Sequence, residues 1–318
     1  MITETGRLKS NIAVINLAAM FPKEFKGEIL IQGKDGYDEA RKIWNGMINK
    51  RPAIIARCSN AQDVIQAVNF ARENNLIVSI KGGGHNVTGN AVCDNGIMID
   101  LSLMKSVKVD PEKQIAEVQT GATWGDFDNA TQKYGLACTG GLISTTGVAG
   151  LTLGGGVGWL VRKHGLSCDN LTEAEIVTAD GQLLKASPKV NPELFWGIRG
   201  GGGNFGVVTS MTFQLHKLNN VVGGMILHPQ TKAKEVIQFY REYMKTAPDE
   251  LTLYTALLTS PDGLPVIAMI GCYSGEMEKA EAALKPLREF GQPLADLMQS
   301  KSYIEMQTIL DGPFPHGN

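Results

Sequence analysis

The segment Lys81-Gly82-Gly83-Gly84-His85-Asn86 sets one imidazole inside a run of glycines. Such a loop offers a histidine no apolar face to pack on. A neutral imidazole carries a nucleophilic lone pair, so a histidine delivered by a flexible loop can form a bond to an electrophilic cofactor. The glycines themselves point the same way. The chain has 37 of them, where average usage of about 7% would give about 22, and 24 lie between Gly82 and Gly206. They cluster without the three-residue period of collagen. Glycine lacks a Cβ and accepts positive φ, so successive backbone N–H groups can converge on an anion such as a pyrophosphate.

The familiar routes to nucleotide binding do not apply. Gly201-Gly202-Gly203-Asn204-Phe205-Gly206 matches G-x-G-x-x-G, but strand-like residues follow it where that fingerprint requires a helix. The phosphate loop G-x-x-x-x-G-K-[ST], the zinc-protease HExxH and the GxSxG elbow do not occur. His164, His216, His228 and His316 are scattered, and Cys58, Cys93, Cys138, Cys168 and Cys272 contain no CxxC, so no metal site and no disulfide framework is expected. With 30 Lys and Arg against 32 Asp and Glu, the net charge of -2 supplies no field for nucleic acid or an anionic membrane. No apolar run reaches the roughly 20 residues of a membrane span, and the polar start MITETGRLKS is unlike a signal peptide, which reads as a cytoplasmic protein.

Elements that would position these loops follow from the pattern. Residues 1–47 read as a lead-in with a helix over 37–47. Residues 53–57 read as a strand, and Ser59-Asn60-Ala61-Gln62 as a capping box that opens a helix burying Val64, Ile65, Val68 and Ala71. The apolar run 76–80 completes a β-α-β unit and delivers the first glycine loop at a strand's carboxyl end. Strands are expected at 97–101, 107–110 and 115–119, and a helix capped by Thr123 stops at Gly135. The stretch GGLISTTGVAGLTLGGGVG at 140–158 reads as buried loop packed on a ligand. A hairpin turns at Asp180-Gly181, and a strand follows the third glycine cluster at 207–213. After Asn220 the texture changes to strands at 221–227, 251–259 and 264–272, with helices at 232–245 and 276–290.

Three stretches carry a resemblance: IKGGGHNVTG at 80–89, TTGVAGLTLGGGVGWLVRKHGLSCDNL at 145–171 and LFWGIRGGGGNFGVV at 194–208. In this order they resemble the FAD-binding PCMH-type oxidoreductases of the vanillyl-alcohol-oxidase fold, in the look of the bacterial berberine-bridge-enzyme-like and 6-hydroxynicotine-oxidase-like members. The resemblance implies an α+β fold. A two-subdomain FAD-binding domain at 48–218 would be followed by part of an α+β substrate domain with an antiparallel sheet at 219–318. It implies FAD between the two subdomains, bonded at its 8α-methyl to His85. Gly82, Gly83, Gly84, Asn86, Gly89 and Asn90 would contact it from the first loop, and Gly141, Thr145, Thr146, Gly147 and Gly150 from the second. Gly155, Gly156 and Gly158 would let the following chain pass close, and Val207 would pack on the cofactor. Relatives with a second link carry a cysteine where this chain has Ile143, so one covalent bond is expected, and Cys138 is discounted as a substitute.

The implied chemistry is hydride transfer from a small alcohol, sugar, amine or related molecule to the flavin, with O2 as the next acceptor. The small Thr146 stands where family dehydrogenases carry a bulkier side chain. No catalytic residue is assigned, since relatives take theirs from a substrate domain longer than the segment after Asn220. Tyr254 and Tyr273 are candidates better read as packing residues. The ending at Phe314-Pro315-His316-Gly317-Asn318 reads as a truncation, which leaves two alternatives: a non-catalytic flavin-binding fragment, or an NADPH-dependent reductase on the same fold, disfavoured by the GGGH loop. Substrate and oligomeric state are not legible.

Overall fold

The computed structural model describes residues 17–260 and 262–317; the reading of residues 1–16 as lead-in lies outside them. Strands β1 (Glu28–Leu30), β2 (Ile54–Arg57), β3 (Val78–Lys81) and β4 (Ile97–Asp100) form one sheet in the order β1-β2-β4-β3. The last three run parallel, with β4 inserted between β2 and β3. Alternate side chains explain the two-sided burial. Ile54, Ala56, Ile97 and Ile99 pack under Val64, Ala67, Val68 and Ala71 of the helix Ala61–Glu73, while Ile55 and Met98 pack against Leu30, Tyr37 and Ile43 on the other face.

A second sheet is antiparallel. Strands β5 (Val107–Asp110) and β6 (Ile115–Gln119) come first, and the short β7 (Leu136–Ala137) leaves the sheet. Then β8 (Leu171–Val177), β9 (Leu183–Ala186) and β10 (Val207–Gln214) complete the order β5-β6-β10-β8-β9. The turn at Asp180-Gly181 joins β8 to β9, as the D-G dipeptide predicts. β11 (His216–Lys217) pairs with β7. Val177 and Val207 sit in the same core as Ile97 and Ile99, so the two sheets share side chains where the glycine loops emerge.

The third sheet contains β12 (Asn220–Pro229), β13 (Leu251–Thr259), β14 (Pro265–Tyr273), β15 (Ala295–Asp296) and β16 (Gln299–Ser302). Its order is β13-β14-β12-β15, with β16 also on β12. One face, with Ile226, Leu253, Ile267 and Met269, is covered by the helices Ala233–Tyr243 and Met277–Glu289. The other, with Val221, Ala268, Ile270 and Cys272, packs on Trp159, Tyr303 and Met306. The antiparallel sheet of the expected α+β class is therefore present.

Several local expectations are corrected. The helix of 37–47 is one turn, Tyr37–Ala40, and the chain beyond it is spent on contacts with the first glycine loop. The cap at Ser59 moves to Asn60: Asn60 accepts from the Asp63 N–H, and the reaching carboxylate is Asp63, which accepts from the Ser59 backbone and hydroxyl. The stretch 140–158 is not all loop. Val148–Leu153 is a helix whose N-terminal neighbour is Gly147, with Val148, Ala149, Thr152 and Leu153 buried. The helix Pro192–Gly197 carries no prior signal except its proline at the first position.

Candidate functional site

The first glycine loop leaves β3 and is gripped by residues 44–50. The Trp44 N–H donates to the Gly84 carbonyl at 3.0 Å, Asn45 Nδ2 to the Val87 carbonyl at 2.8 Å and Lys50 Nζ to the Gly89 carbonyl at 3.0 Å. Asn86 closes its own turn, accepting from Thr88 Oγ1 and the Asn90 N–H. His85 is half-buried. Its Nε2 lies 2.8 Å from Thr145 Oγ1 of the second loop, Trp44 stacks on its ring at 5.5 Å, and His316 stands edge-on at 5.5 Å. Burial, helped by the neighbouring His316 and opposed by Asp311, pushes its pKa down to about 4. The ring is therefore neutral at pH 7, the state a nucleophile needs.

The second loop is tied to the helix Trp124–Thr131. That helix opens with the expected capping box of Thr123 and Asp126, the Trp124 N–H donates to the Thr146 carbonyl, and the Gly125 N–H donates to that of Ser144. From the other side, Asp311 accepts from the Ser144 N–H at 2.9 Å and its hydroxyl at 2.6 Å. Gln307 Nε2 donates to buried Asp128 at 2.8 Å and to the Gly141 carbonyl at 3.2 Å. Burial raises the Asp128 pKa to about 7.

The two loops meet backbone to backbone at Gly83 and Gly147. A Cβ on either would overlap the backbone nitrogen of the other, so neither position accepts a side chain without separating the loops. The third cluster closes the same space: Gly200 donates its N–H to the Leu153 carbonyl, and Asn204 donates to that of Gly201.

Together the loops enclose a cleft of about 710 Å³, a size ordinary for a large ligand. Of the sequence-predicted residues, Gly82, Gly83, Gly84, His85, Asn86, Asn90, Thr146, Gly147 and Gly150 line it. Thr145 touches His85. Gly89, Gly141, Gly155, Gly156, Gly158 and Val207 stand behind the wall: Gly89 faces Ile48, Gly156 faces Ser167, Gly158 faces the Gly140 carbonyl, and Val207 is in the core. Lining residues that the sequence reading passed over include Leu101, Ala149, Leu151, Leu153, Asn204 and Val208. Their only advance signal was membership of apolar strands or of the glycine-rich stretches.

The cleft suits FAD on two counts. Its lining contains no acidic side chain to oppose a pyrophosphate, and it combines backbone-rich glycine segments with apolar surface for a flat ring system. A Cβ on Gly150 or Gly203 would meet nothing within 4 Å, so these glycines serve no packing need of the chain and instead leave the cleft room.

Elsewhere, Tyr254 donates to the Gly158 carbonyl at 3.4 Å and lies edge-on to Trp159, and Tyr273 is buried under the sheet's helices. Cys138 is fully buried, and burial pushes its thiol well above the ordinary range. Among the described residues no group of three or more His, Cys, Asp or Glu is placed to hold a metal ion, and no helix is long and apolar enough to cross a membrane.

Comparison with known proteins gives concordant findings. Residues 52–187 match the family described as FAD binding domain. An FAD-linked oxidoreductase of Dictyostelium discoideum is 36% identical over 300 residues, covering 93% of this chain and 65% of its own length. The crystal structure of 6-hydroxy-D-nicotine oxidase from Arthrobacter nicotinovorans superposes with a TM-score of 0.88 at 33% identity, covering 94% of this chain and 67% of that one. A chitooligosaccharide oxidase follows with a TM-score of 0.78 at 28% identity, covering 94% of this chain and 62% of its own. The chain spans 64–65% of the length of three curated relatives that it matches.

Proposed function

Because the chain belongs to the family of FAD-linked oxidoreductases that share this FAD binding domain, we propose that it is an oxidase working through FAD bonded to His85. When bound, FAD supplies the hydride acceptor and passes the electron pair on to O2. The observation that carries the reading is the meeting of two glycine loops at Gly83 and Gly147, with a neutral histidine held at the cleft they enclose.

Each residue's part follows from its position. Gly82, Gly83, Gly84, Gly147 and Gly150 present backbone where side chains would obstruct, and Asn86 and Asn90 hold the turn that ends the first loop. Leu101, Leu151 and Val208 supply an apolar, water-excluding wall. Thr146, small and on the cleft wall, leaves space for O2. His85 supplies the single covalent link: Ile143 has no nucleophile, and Cys138 is sealed in the core beside Trp124 and Phe127. The substrate is a small alcohol, sugar or amine; neighbours named for a nicotine derivative and for chitooligosaccharide support that breadth and do not narrow it.

The test is acid precipitation of the expressed chain alongside His85→Ala. Yellow flavin absorbance in the wild-type pellet, transferred to the supernatant in His85→Ala, is the expected result. Flavin in the wild-type supernatant would leave FAD binding intact and remove the covalent bond from the proposal.

A further inference from the structure

The two ring nitrogens of His85 have different surroundings. Nε2 is engaged by Thr145 Oγ1 at 2.8 Å, whereas Nδ1 has no hydrogen-bond partner among the described residues. Trp44, stacked at 5.5 Å with the planes 22° apart, fixes the plane of the ring, and His316 meets it edge-on. The imidazole is thus oriented by two neighbours and tethered by a third through one nitrogen only.

A neutral imidazole has one N–H and one lone pair, and which nitrogen carries which is set by the partner of the other. A hydroxyl can accept or donate. If Thr145 accepts, Nε2 is the protonated nitrogen and the lone pair is on the open Nδ1; if it donates, both nitrogens are spent and neither can attack. Burial keeps the ring neutral at pH 7, so the choice lies between these two tautomers alone.

We propose that Thr145 is a positioning residue for flavin attachment: by accepting from Nε2–H it leaves Nδ1 as the nitrogen that bonds the flavin 8α-carbon. This rests on the covalent reading given above. In the step, the Nδ1 lone pair forms the N–C bond, one C–H bond of the 8α-methyl breaks, and its electron pair enters the ring system. Dioxygen then takes up two electrons and two protons to become hydrogen peroxide. Overall one C–H and one imidazole N–H are lost and one C–N bond is gained. As the bond forms, positive charge grows on the imidazole, and the Nε2–H bond to Thr145 strengthens with it. Thr145 is exposed, so the Nε2 proton can leave to solvent after the charge has formed.

The experiment compares wild type, Thr145→Val and Thr145→Ser, each incubated with FAD under air, acid-precipitated at intervals, and digested to flavopeptides whose linkage position is read by NMR. Loss of one hydrogen bond to a developing charge is expected to slow attachment about tenfold or more in Thr145→Val, with bound flavin moving from pellet to supernatant. Thr145→Ser should attach at close to the wild-type rate, and the wild-type flavopeptide should be joined at Nδ1. Attachment as fast in Thr145→Val as in wild type, or a bond at Nε2, overturns the proposal and leaves the covalent reading standing. If Thr145→Val binds no flavin, the wild-type linkage position decides. A wild-type pellet without flavin overturns the covalent reading and this inference together.

Discussion

The two glycine loops that meet at Gly83 and Gly147 are held by different means. The first is held from outside, by the half-buried Trp44, Asn45 and Lys50 donating to its carbonyls. The second is held from within, by Asp128 and Gln307 in a seam where both side chains are almost wholly buried. A surface hydrogen bond exchanges a protein partner for water at small net cost, whereas a buried polar pair that loses one member leaves the other desolvated and unmatched. The first loop can therefore adjust around its histidine, while the second is a fixed wall against which that adjustment is made.

The largest effect should come from the point where both loops need the same space. Gly83→Val pushes a branched side chain into the backbone of Gly147, and no flexible neighbour can yield. Such a change is expected to cost more than about 4 kcal/mol, the range of backbone clashes in a packed core, and to abolish flavin retention. Thermal unfolding and the ratio of flavin to protein absorbance measure both. A folded, yellow Gly83→Val protein would mean that the loops do not meet in solution.

The buried seam gives the next effect, and its dependence on pH is specific. The Asp128 carboxyl keeps its proton up to about pH 7 in the folded chain, against an ordinary value near 3.8. From about pH 4 to pH 7 the folded state therefore binds a proton that the unfolded state has released. Stability is full below that window and is lost as pH rises through it, by about 4 kcal/mol in all. Gln307 Oε1 and Asp128 Oδ1 have no hydrogen-bond partner among the described residues, and only the protonated carboxyl carries a donor as well as an acceptor. Asp128→Asn removes the titration, so the wild-type minus Asn difference in urea unfolding should fall steadily between about pH 4 and pH 7 and level off above it. A flat difference would place the proton elsewhere.

How far the sequence announced this arrangement depends on the range over which each constraint acts. The strands expected at 53–57, 97–101, 107–110 and 115–119, the Thr123 cap and the Asp180-Gly181 turn are local, and all appear close to where the pattern placed them. The three glycine clusters were legible because close approach of backbone removes side chains, a trace that composition records. The clamps were not legible. Trp44, Asp128, Gln307 and Asp311 act across distances of 40 to 179 residues, and in the sequence Asp128 looks like one more polar helix residue. The helix Val148–Leu153 was hidden for another reason: Gly150 within it and the glycines at both its ends argue against helix by propensity, and the burial of Val148, Ala149, Thr152 and Leu153 overrides them.

Gly150 within that helix supplies the smallest effect and the sharpest contrast with Gly83. Glycine in a helix costs up to about 1 kcal/mol relative to alanine, and nothing in the chain lies within 4 Å of where a Cβ would stand. Judged by the protein alone, Gly150→Ala should raise stability by about 0.5–1 kcal/mol. Judged by the cleft, the methyl group occupies space on its wall, and flavin binding should weaken. Opposite signs in the two measurements, a higher melting temperature for the flavin-free chain and a lower affinity for added FAD, are the expected result. A glycine kept for packing, as at Gly83, gives losses in both. If Gly150→Ala instead bound FAD as tightly as wild type, the helix would stand off from the cofactor, and the second loop's contribution would narrow to Thr146 and Gly147.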